Sequence, residues 1–190
     1  MGELDLSEIR PADETMMNKI GMLRIRAWES FYPEIARLRI WLEDLDRSAM
    51  HWAILRDGEP VAAARMSIHE TLDSVPDSES YRGAFREPLP SPIASFNRLV
   101  VEPSSRKQGL SRRLDLARMD AARRHGCRIA IGYSSVDSRI SRLEELGWFI
   151  VGPGKQSHVF SHRAIPTILA RHHPGPPALG LAHEPVASGG

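Results

Sequence analysis

Cysteine is nearly absent from this chain: Cys127 is the only one among 190 residues. A single thiol excludes an internal disulfide and suits a reducing compartment. It falls among small apolar residues at a helix-to-strand junction with no His/Asp pattern around it, so it reads as structural. An excess of charge of either sign is missing too. The formal net charge of +1 argues against a general nucleic-acid or membrane-surface role. No apolar run approaches the ~20 residues of a membrane span, and no signal-peptide h-region opens the chain. A soluble cytoplasmic protein is therefore expected. Familiar motifs are also lacking. There is no Gly-x-Ser-x-Gly elbow, no Walker spacing, and only one of the three glycines of a dinucleotide fingerprint.

What is present is concentrated in Leu99-Val100-Val101-Glu102-Pro103-Ser104-Ser105-Arg106-Lys107-Gln108-Gly109-Leu110-Ser111. A β-branched run is stopped by Pro103, which has no N–H for a ladder. A helix then opens, with Leu110, Leu114, Ala117 and Ala121 on one face. The basic, glycine-containing loop between them leaves free N–H groups at the positive end of a helix dipole. Such a site receives phosphate well, which suggests a ligand carrying a pyrophosphate.

Along the chain, residues 1–14 read as a loose lead-in, 15–165 as one domain and 166–190 as a disordered His/Pro/Gly tail. Met16, Ile20, Leu23 and Ala27 predict a helix over Thr15–Trp28. A second is predicted from Pro33 to about Leu45, with Ile35, Leu38, Leu42 and Leu45 inward. His51–Arg56 and Val61–Ile68 form a hairpin through Asp57-Gly58-Glu59-Pro60. The polar stretch Thr71–Pro92 is a long loop with room for a short helix. Next come a strand at Ala94–Val101, the helix to about His125 and a strand at Arg128–Tyr133. A short helix at Val136–Leu146 follows, then a final strand pair at Trp148–Val151 and Ser157–Arg163.

The loop Arg106-Lys107-Gln108-Gly109-Leu110-Ser111, preceded by Val101-Glu102-Pro103, resembles the acyl-CoA loop of the GCN5-related N-acetyltransferase (GNAT) superfamily, Arg/Gln-x-x-Gly-x-Gly/Ala. The hairpin with Ala62-Ala63-Ala64-Arg65 is similar to the family's second and third strands. Arg142-Leu143-Glu144-Glu145-Leu146-Gly147-Trp148 is similar to its Leu-Tyr-x-x-x-Gly-Phe ending. The resemblance implies an α/β fold: a mostly antiparallel central sheet with a splayed strand pair, flanked by helices. It implies an N-acyltransferase using acetyl-CoA or a longer acyl-CoA, without a metal, by direct attack of an amine on the thioester.

By the same resemblance, Leu99, Val101, Arg106, Lys107, Gln108, Gly109, Leu110, Ser111 and Arg112 hold the donor. A backbone N–H at Val100 or Val101 faces the developing oxyanion, worth roughly 2.7–4 kcal/mol in comparable holes. Asn97 and Arg98 lead to that point, and strand alternation sends them to opposite faces. The family's proton-donating tyrosine corresponds to Leu143, which has no proton to give. His51, His69 and Glu70 are candidate bases through water, or plain strand-end residues.

Arg24, Arg26, Trp28, Arg65 and Arg98 also resemble the branch of acyl-homoserine-lactone and long-chain N-acyl amino acid synthases, which accept acyl chains from acyl carrier protein or CoA. On that reading Arg24, Trp28 and Arg65 bind an amino acid acceptor, the arginines gripping its carboxylate. The plainer alternative is solvation, or salt bridges to Glu29, Glu34 or Asp44. A catalytically silent CoA-binding module is the competing class. The helix arginines Arg112, Arg113, Arg118, Arg123, Arg124 and Arg128 read as a solvated face interrupted by Asp115 and Asp120, without the interleaved aromatics of a nucleic-acid surface. Near the loop, that face also suits an acidic carrier protein. His158 and His162 fall about 13 Å apart along a predicted strand, and His172, His173 and His183 lie in the tail, so no metal site is expected. Trp28, Trp41, Trp52 and Trp148 read as core. The sequence leaves a homodimer open.

Overall fold

The computed structural model describes residues 2–86, 88–155 and 165–173. Strands β1 (Leu4–Ile9), β2 (Met50–Arg56), β3 (Glu59–His69), β4 (Ile93–Val101), β5 (Ile129–Ser134), β6 (Phe149–Pro153) and β7 (Thr167–His172) build one sheet in the order β1-β2-β3-β4-β5-β7-β6. Helices α1 (Glu14–Trp28) and α2 (Ser78–Tyr81) pack on one face; α3 (Leu110–Arg124) and α4 (Asp137–Glu145) pack on the other. Every neighbouring strand pair is antiparallel except β4–β5. This is the mixed α/β architecture that the sequence predicts. No described helix is long and apolar enough to cross a membrane.

The predicted hairpin forms on a two-residue turn. Asp57 (φ 52°) and Gly58 (φ 78°) both adopt the left-handed conformation that matches the twist of the paired strands. The α1 helix starts where the Asp13 side chain accepts from the Met16 N–H at 3.0 Å. It buries Met17, Ile20, Leu23 and Ala27 against Ala53, Ala63 and Val100. On the opposite face Leu110, Leu114, Ala121 and Ala122 of α3 pack with Phe96, Ala130, Leu143 and Trp148. Trp41, Trp52 and Trp148 are core residues and Trp28 is half-buried.

Two irregularities shape the middle of the sheet. The first is a splay: β4 pairs with β5 only at Ile93–Ile129, Ala94–Ala130 and Ser95–Ile131, yet both strands continue past that point. The second is a bulge. Ala63 pairs with Val100 and Arg65 with Asn97, so Ala64 alone opposes Arg98 and Leu99. Arg98 takes up the extra residue at φ 49°.

Several expectations need correction. The lead-in 1–14 contains β1, an edge strand in full register with β2 from Leu4–Arg56 to Ile9–His51; its backbone pairing outweighs a polar sequence. The predicted helix from Pro33 to Leu45 is two short 3-10 turns, Pro33–Arg37 and Asp44–Arg47. Glu43 and Asp46 are drawn onto Arg98 and the buried Arg24 instead, and Leu38 and Leu42 stay exposed. The start of the predicted tail is strand β7, whose Ile168, Leu169 and Ala170 are fully buried between β5 and β6. The predicted strand Ser157–Arg163 and the remainder of the tail, 174–190, lie outside the described residues. Finally, Arg118 and Asp115 are not part of a solvated helix face: both are buried as an ion pair at 2.5 Å, and Arg139 joins Asp115 from α4.

Candidate active site

Where β4 and β5 part, they leave a cavity of about 290 Å³ with a mostly apolar lining. Phe96, Asn97, Arg98 and Leu99 line it from β4, and Gly132, Tyr133 and Ser134 from β5. The cavity reaches both faces of the sheet. On the side of α1 it meets Trp28, Tyr32, Trp41 and Asp77; on the side of α3 and α4 it meets Arg118, Arg139, Leu143 and Trp148. An opening in a sheet leaves backbone donors and acceptors of both strands available to a ligand. Two buried donors in its lining residues, Trp148 Nε1 and Arg118 Nε, have no partner among the described residues, and a bound molecule carrying carbonyl oxygens suits them.

The bulge settles the orientation of Asn97 and Arg98. They do not alternate across the sheet, as sequence periodicity predicts, because the extra residue cancels one step of the pleat. Asn97 reaches back to Arg65 and Ser95, while Arg98 binds the Glu43 carboxylate on the same side. Arg98 also lies over the Trp41 ring, 5.2 Å from its centroid. Arg118 stacks on Phe96 at 4.4 Å and donates to the Arg65 carbonyl at 3.1 Å. Burial lowers the Arg118 guanidinium to about 10, although Asp115 works to keep it charged.

The loop Arg106–Ser111 leads into the N-terminus of α3; none of its residues lines the cavity, and it approaches the cavity's α1 side only through Arg106, which reaches the end of α1 at Ala27. Lys107 (φ 65°) and Gly109 (φ 73°) are both left-handed, and no side chain caps the helix. The first N–H groups of α3 thus remain available to an anion. Two loop side chains are otherwise engaged. Arg106 donates to the Ala27 carbonyl at 2.9 Å, and the Gln108 side-chain oxygen accepts from Arg56 at 3.1 Å. Lys107 and Arg112 are exposed next to the loop.

A protein-family model for the acetyltransferase (GNAT) family matches residues 17–143, more than half of the chain. The chain belongs to the GNAT acetyltransferase family. No curated protein matches the sequence. Among solved structures, the acyl-homoserine-lactone (AHL) synthase LasI has a TM-score of 0.68 at 12% identity, covering 90% of this chain and 91% of LasI. Escherichia coli ElaA has a TM-score of 0.63 at 13% identity, covering 90% of this chain and 100% of ElaA. The ribosomal-protein-S18-alanine N-acetyltransferase of E. coli has a TM-score of 0.59 at 16% identity, covering 90% and 94%. At such identities these likenesses describe the fold.

Within this GNAT domain, Trp28 and Arg98 line the cavity, whereas Arg24 and Arg65 lie behind it, fully buried. Neither binds Glu29, Glu34 or Asp44; their shared partner is Asp46. Arg24 grips both Asp46 oxygens at 2.7 and 2.9 Å, and Arg65 adds a contact at 3.0 Å. Burial opposes ionisation of Asp46, but the two guanidiniums overcome it and hold the carboxyl well below the usual carboxylate range. Glu43 is lowered in the same way by Arg98 and Arg65. His51, His69 and Glu70 do not line the cavity. His51 is buried, with Nε2 2.9 Å from the Asp46 carbonyl. Sequence reasoning missed Asp77, Tyr133, Arg139 and Trp148 as cavity residues. Arg139 had a signal, since it lies one helical turn before Leu143 on α4. Among the described residues no group of three His, Cys, Asp or Glu is placed to hold a metal; His158, His162 and His183 lie outside them.

Proposed function

We propose that this GNAT protein is a cytoplasmic N-acyltransferase that moves an acyl group from acyl-CoA to a small amine or amino acid, by direct attack in a ternary complex. One observation carries the reading: a cavity through the β4–β5 splay opens to both faces of the sheet, and β4 leads on from it through Val101 to an uncapped, left-handed helix N-terminus. The pyrophosphate of the donor fits the N–H groups at Gly109, Leu110, Ser111 and Arg112, with Lys107 and Arg112 offsetting its charge. Its pantetheine and thioester run along Leu99 to Val101.

Strand geometry favours Val101 over Val100 as the oxyanion donor. The Glu102 N–H donates to the Val61 carbonyl of β3 at 2.8 Å. Backbone N–H groups alternate along a strand, so the Val101 N–H turns toward the splay. There it stabilises negative charge on the thioester oxygen as the amine adds. Asn97 and Arg98 border the reacting carbon on the acceptor side, with Trp28 beyond them. Leu143 contributes shape and no proton, so the thiolate leaves toward water and the fixed charges of Arg118 and Arg139. Isothermal titration with acetyl-CoA and octanoyl-CoA, combined with thiol release on an amine panel, tests the proposal. Donor binding with amide formation is expected. Absence of donor binding overturns the reading, and binding without thiol release favours a silent CoA-binding module.

A second reading keeps the same site and changes the donor and acceptor. The aromatic lining at Trp28, Tyr32, Trp41 and Trp148 suits a long acyl chain, and LasI shares the fold at the TM-score given above. A synthase of N-acyl amino acid or homoserine-lactone type would then take its chain from acyl carrier protein docked near Lys107 and Arg112. Comparing octanoyl-carrier protein with octanoyl-CoA as donor separates the two.

A further inference from the structure

Asp77 and Tyr133 form a polar pair in the cavity that the chemistry above leaves unused. They reach it from separate elements, the long β3–β4 connection and β5, and both line it on the face of α1. The Tyr133 hydroxyl donates to one carboxylate oxygen of Asp77, Oδ2, at 2.7 Å. Asp77 sits at φ 56°, a conformation that costs a non-glycine residue energy. Charged and titratable groups meet Asp77 from each neighbouring element. Arg98 comes from β4 with Glu43 paired behind it, Tyr133 from β5, and Tyr81 from α2 with its ring 5.8 Å from that of Tyr133. Arg98 is the one cation in this set. Glu43 is occupied by Arg98 and Arg65, and among the described residues Asp77 is the carboxylate that lines the cavity. Burial and the Asp77 charge push the Tyr133 phenol above its ordinary value, so it stays protonated as a donor to Asp77. Trp28, Tyr32 and Trp41 supply aromatic surface in the same cavity, which attracts a cation and packs an apolar body.

We propose that the Asp77 carboxylate, oriented by Tyr133, anchors the ammonium group of the acceptor and takes its proton as acyl transfer begins. The inference rests on the acyl-transfer reading and adds a specificity: the acceptor is a primary amine on an apolar or aromatic body. The ammonium binds Oδ1 and releases one proton to it, freeing the nitrogen lone pair. The amine then forms the C–N bond at the thioester carbon, the C–S bond breaks, and thiolate leaves with its electron pair. The second N–H proton passes through water to the thiolate, and the Asp77 proton returns to solvent. The balance is ammonium plus thioester giving amide, thiol and one proton.

Tryptophan fluorescence provides the test, since Trp28, Trp41 and Trp148 all line the cavity. The probes are phenethylamine and its uncharged analogue 2-phenylethanol, titrated into the full chain. The amine should bind at least about tenfold more tightly than the alcohol, as a charge-assisted contact requires. Asp77→Asn should abolish that preference; asparagine tolerates the left-handed backbone, so only the charge is lost. Tyr133→Phe should weaken amine binding and leave the carboxylate in place. Both variants should bind acetyl-CoA as the parent does. With an amine that is acylated, Asp77→Asn should lower kcat/KM about 100-fold. Equal binding of the two probes, binding of neither, or retained preference in Asp77→Asn overturns the anchor. Amine preference without any acyl transfer would instead overturn the enzymatic reading and leave the anchor standing.

Discussion

Arg65 Nε donates to Asn97 Oδ1 at 2.5 Å, which joins the wall of the cavity to a buried chain of charges behind it. The chain runs Arg24–Asp46–Arg65–Glu43–Arg98. Its two ends differ in role. Arg24 and Asp46 fix α1 to the Asp44–Arg47 turn, whereas Arg65, Asn97 and Arg98 set the bulged segment of β4. Three guanidiniums face two carboxylates within this chain, and Asp77, which acts on Arg98 from across the cavity, supplies a third negative charge.

Asp46→Asn should therefore be costly although it is isosteric. It leaves Arg24 and Arg65 as buried charges with one carboxylate fewer, a change worth about 3–5 kcal/mol. Urea denaturation should show that loss. In the protein that remains folded, kcat/KM should fall as well, because Arg65 no longer holds Asn97 in a single position. An unchanged midpoint would mean that water reaches these groups.

Stability should decline in two stages as pH falls. Burial lowers His51 below 6.5, with Asp46 opposing and Arg24 and Arg65 adding to the effect. The folded state then binds fewer protons than the unfolded chain, so stability is full above about 6.5 and erodes as pH drops from there. His69 and His173 act in the same direction. Glu43 and Asp46, both held below their ordinary 4.5 and 3.8, add a second decline as pH falls below about 4.5. Urea midpoints from pH 8 to pH 3 should trace both stages, and His51→Gln should flatten the upper one. A midpoint constant between pH 7 and pH 5 would contradict the burial of these imidazoles.

Asp115 and Asp120 on α3 should respond oppositely to the same substitution. Asp115 is fully buried between Arg118 and Arg139 and ties α3 to α4. Asp115→Asn should cost about 3–5 kcal/mol. Asp120 pairs with Arg123 and Arg124 in solvent, where such pairs contribute little, so Asp120→Asn should leave the thermal midpoint where it was. The difference measures what burial adds.

The same contrast explains how much the sequence revealed. Periodicity and turn residues located α1, the hairpin, β4, α3, β5 and α4, because local propensity and burial agree there. The loop at Arg106–Ser111 was legible from its residues and from its place between a strand and a helix. Residues decided by distant partners were not. Asp115 and Arg118 look like surface charges on a helical wheel until α4 and β4 close over them. The stretch from Pro33 to Leu45 carries helical spacing, yet Glu43 and Asp46 are claimed by Arg98 and Arg24 from other elements. Asn97 and Arg98 obey alternation until one extra residue enters β4. Tyr133 and Asp77, separated by 56 positions, meet only through the sheet.

Cys127 should prove inert in the folded protein. It is buried, and burial pushes its thiol up to about 11. The thiolate is the reactive species, so a neutral thiol reagent at pH 8 should label it only after denaturant is added. Stoichiometric labelling of the native protein within minutes would show that the α3–β5 junction opens readily.

Gly109 offers the cleanest separation of backbone from side-chain effects in the loop proposed to hold the donor. A Cβ there would touch nothing within 4 Å, but the residue sits at φ 73° as α3 begins. Gly109→Ala should thus add no clash and impose only the left-handed penalty, about 1–2 kcal/mol. The loop can pay that in stability, or relax and lose the alignment of its N–H groups. Titration with acetyl-CoA distinguishes these outcomes: relaxation weakens binding by about tenfold, the equivalent of 1.4 kcal/mol. Gly109→Asn should recover part of either loss, because asparagine visits this conformation more readily than alanine. If Gly109→Ala binds acetyl-CoA and melts as the parent does, the left-handed start of α3 has no part in holding the donor.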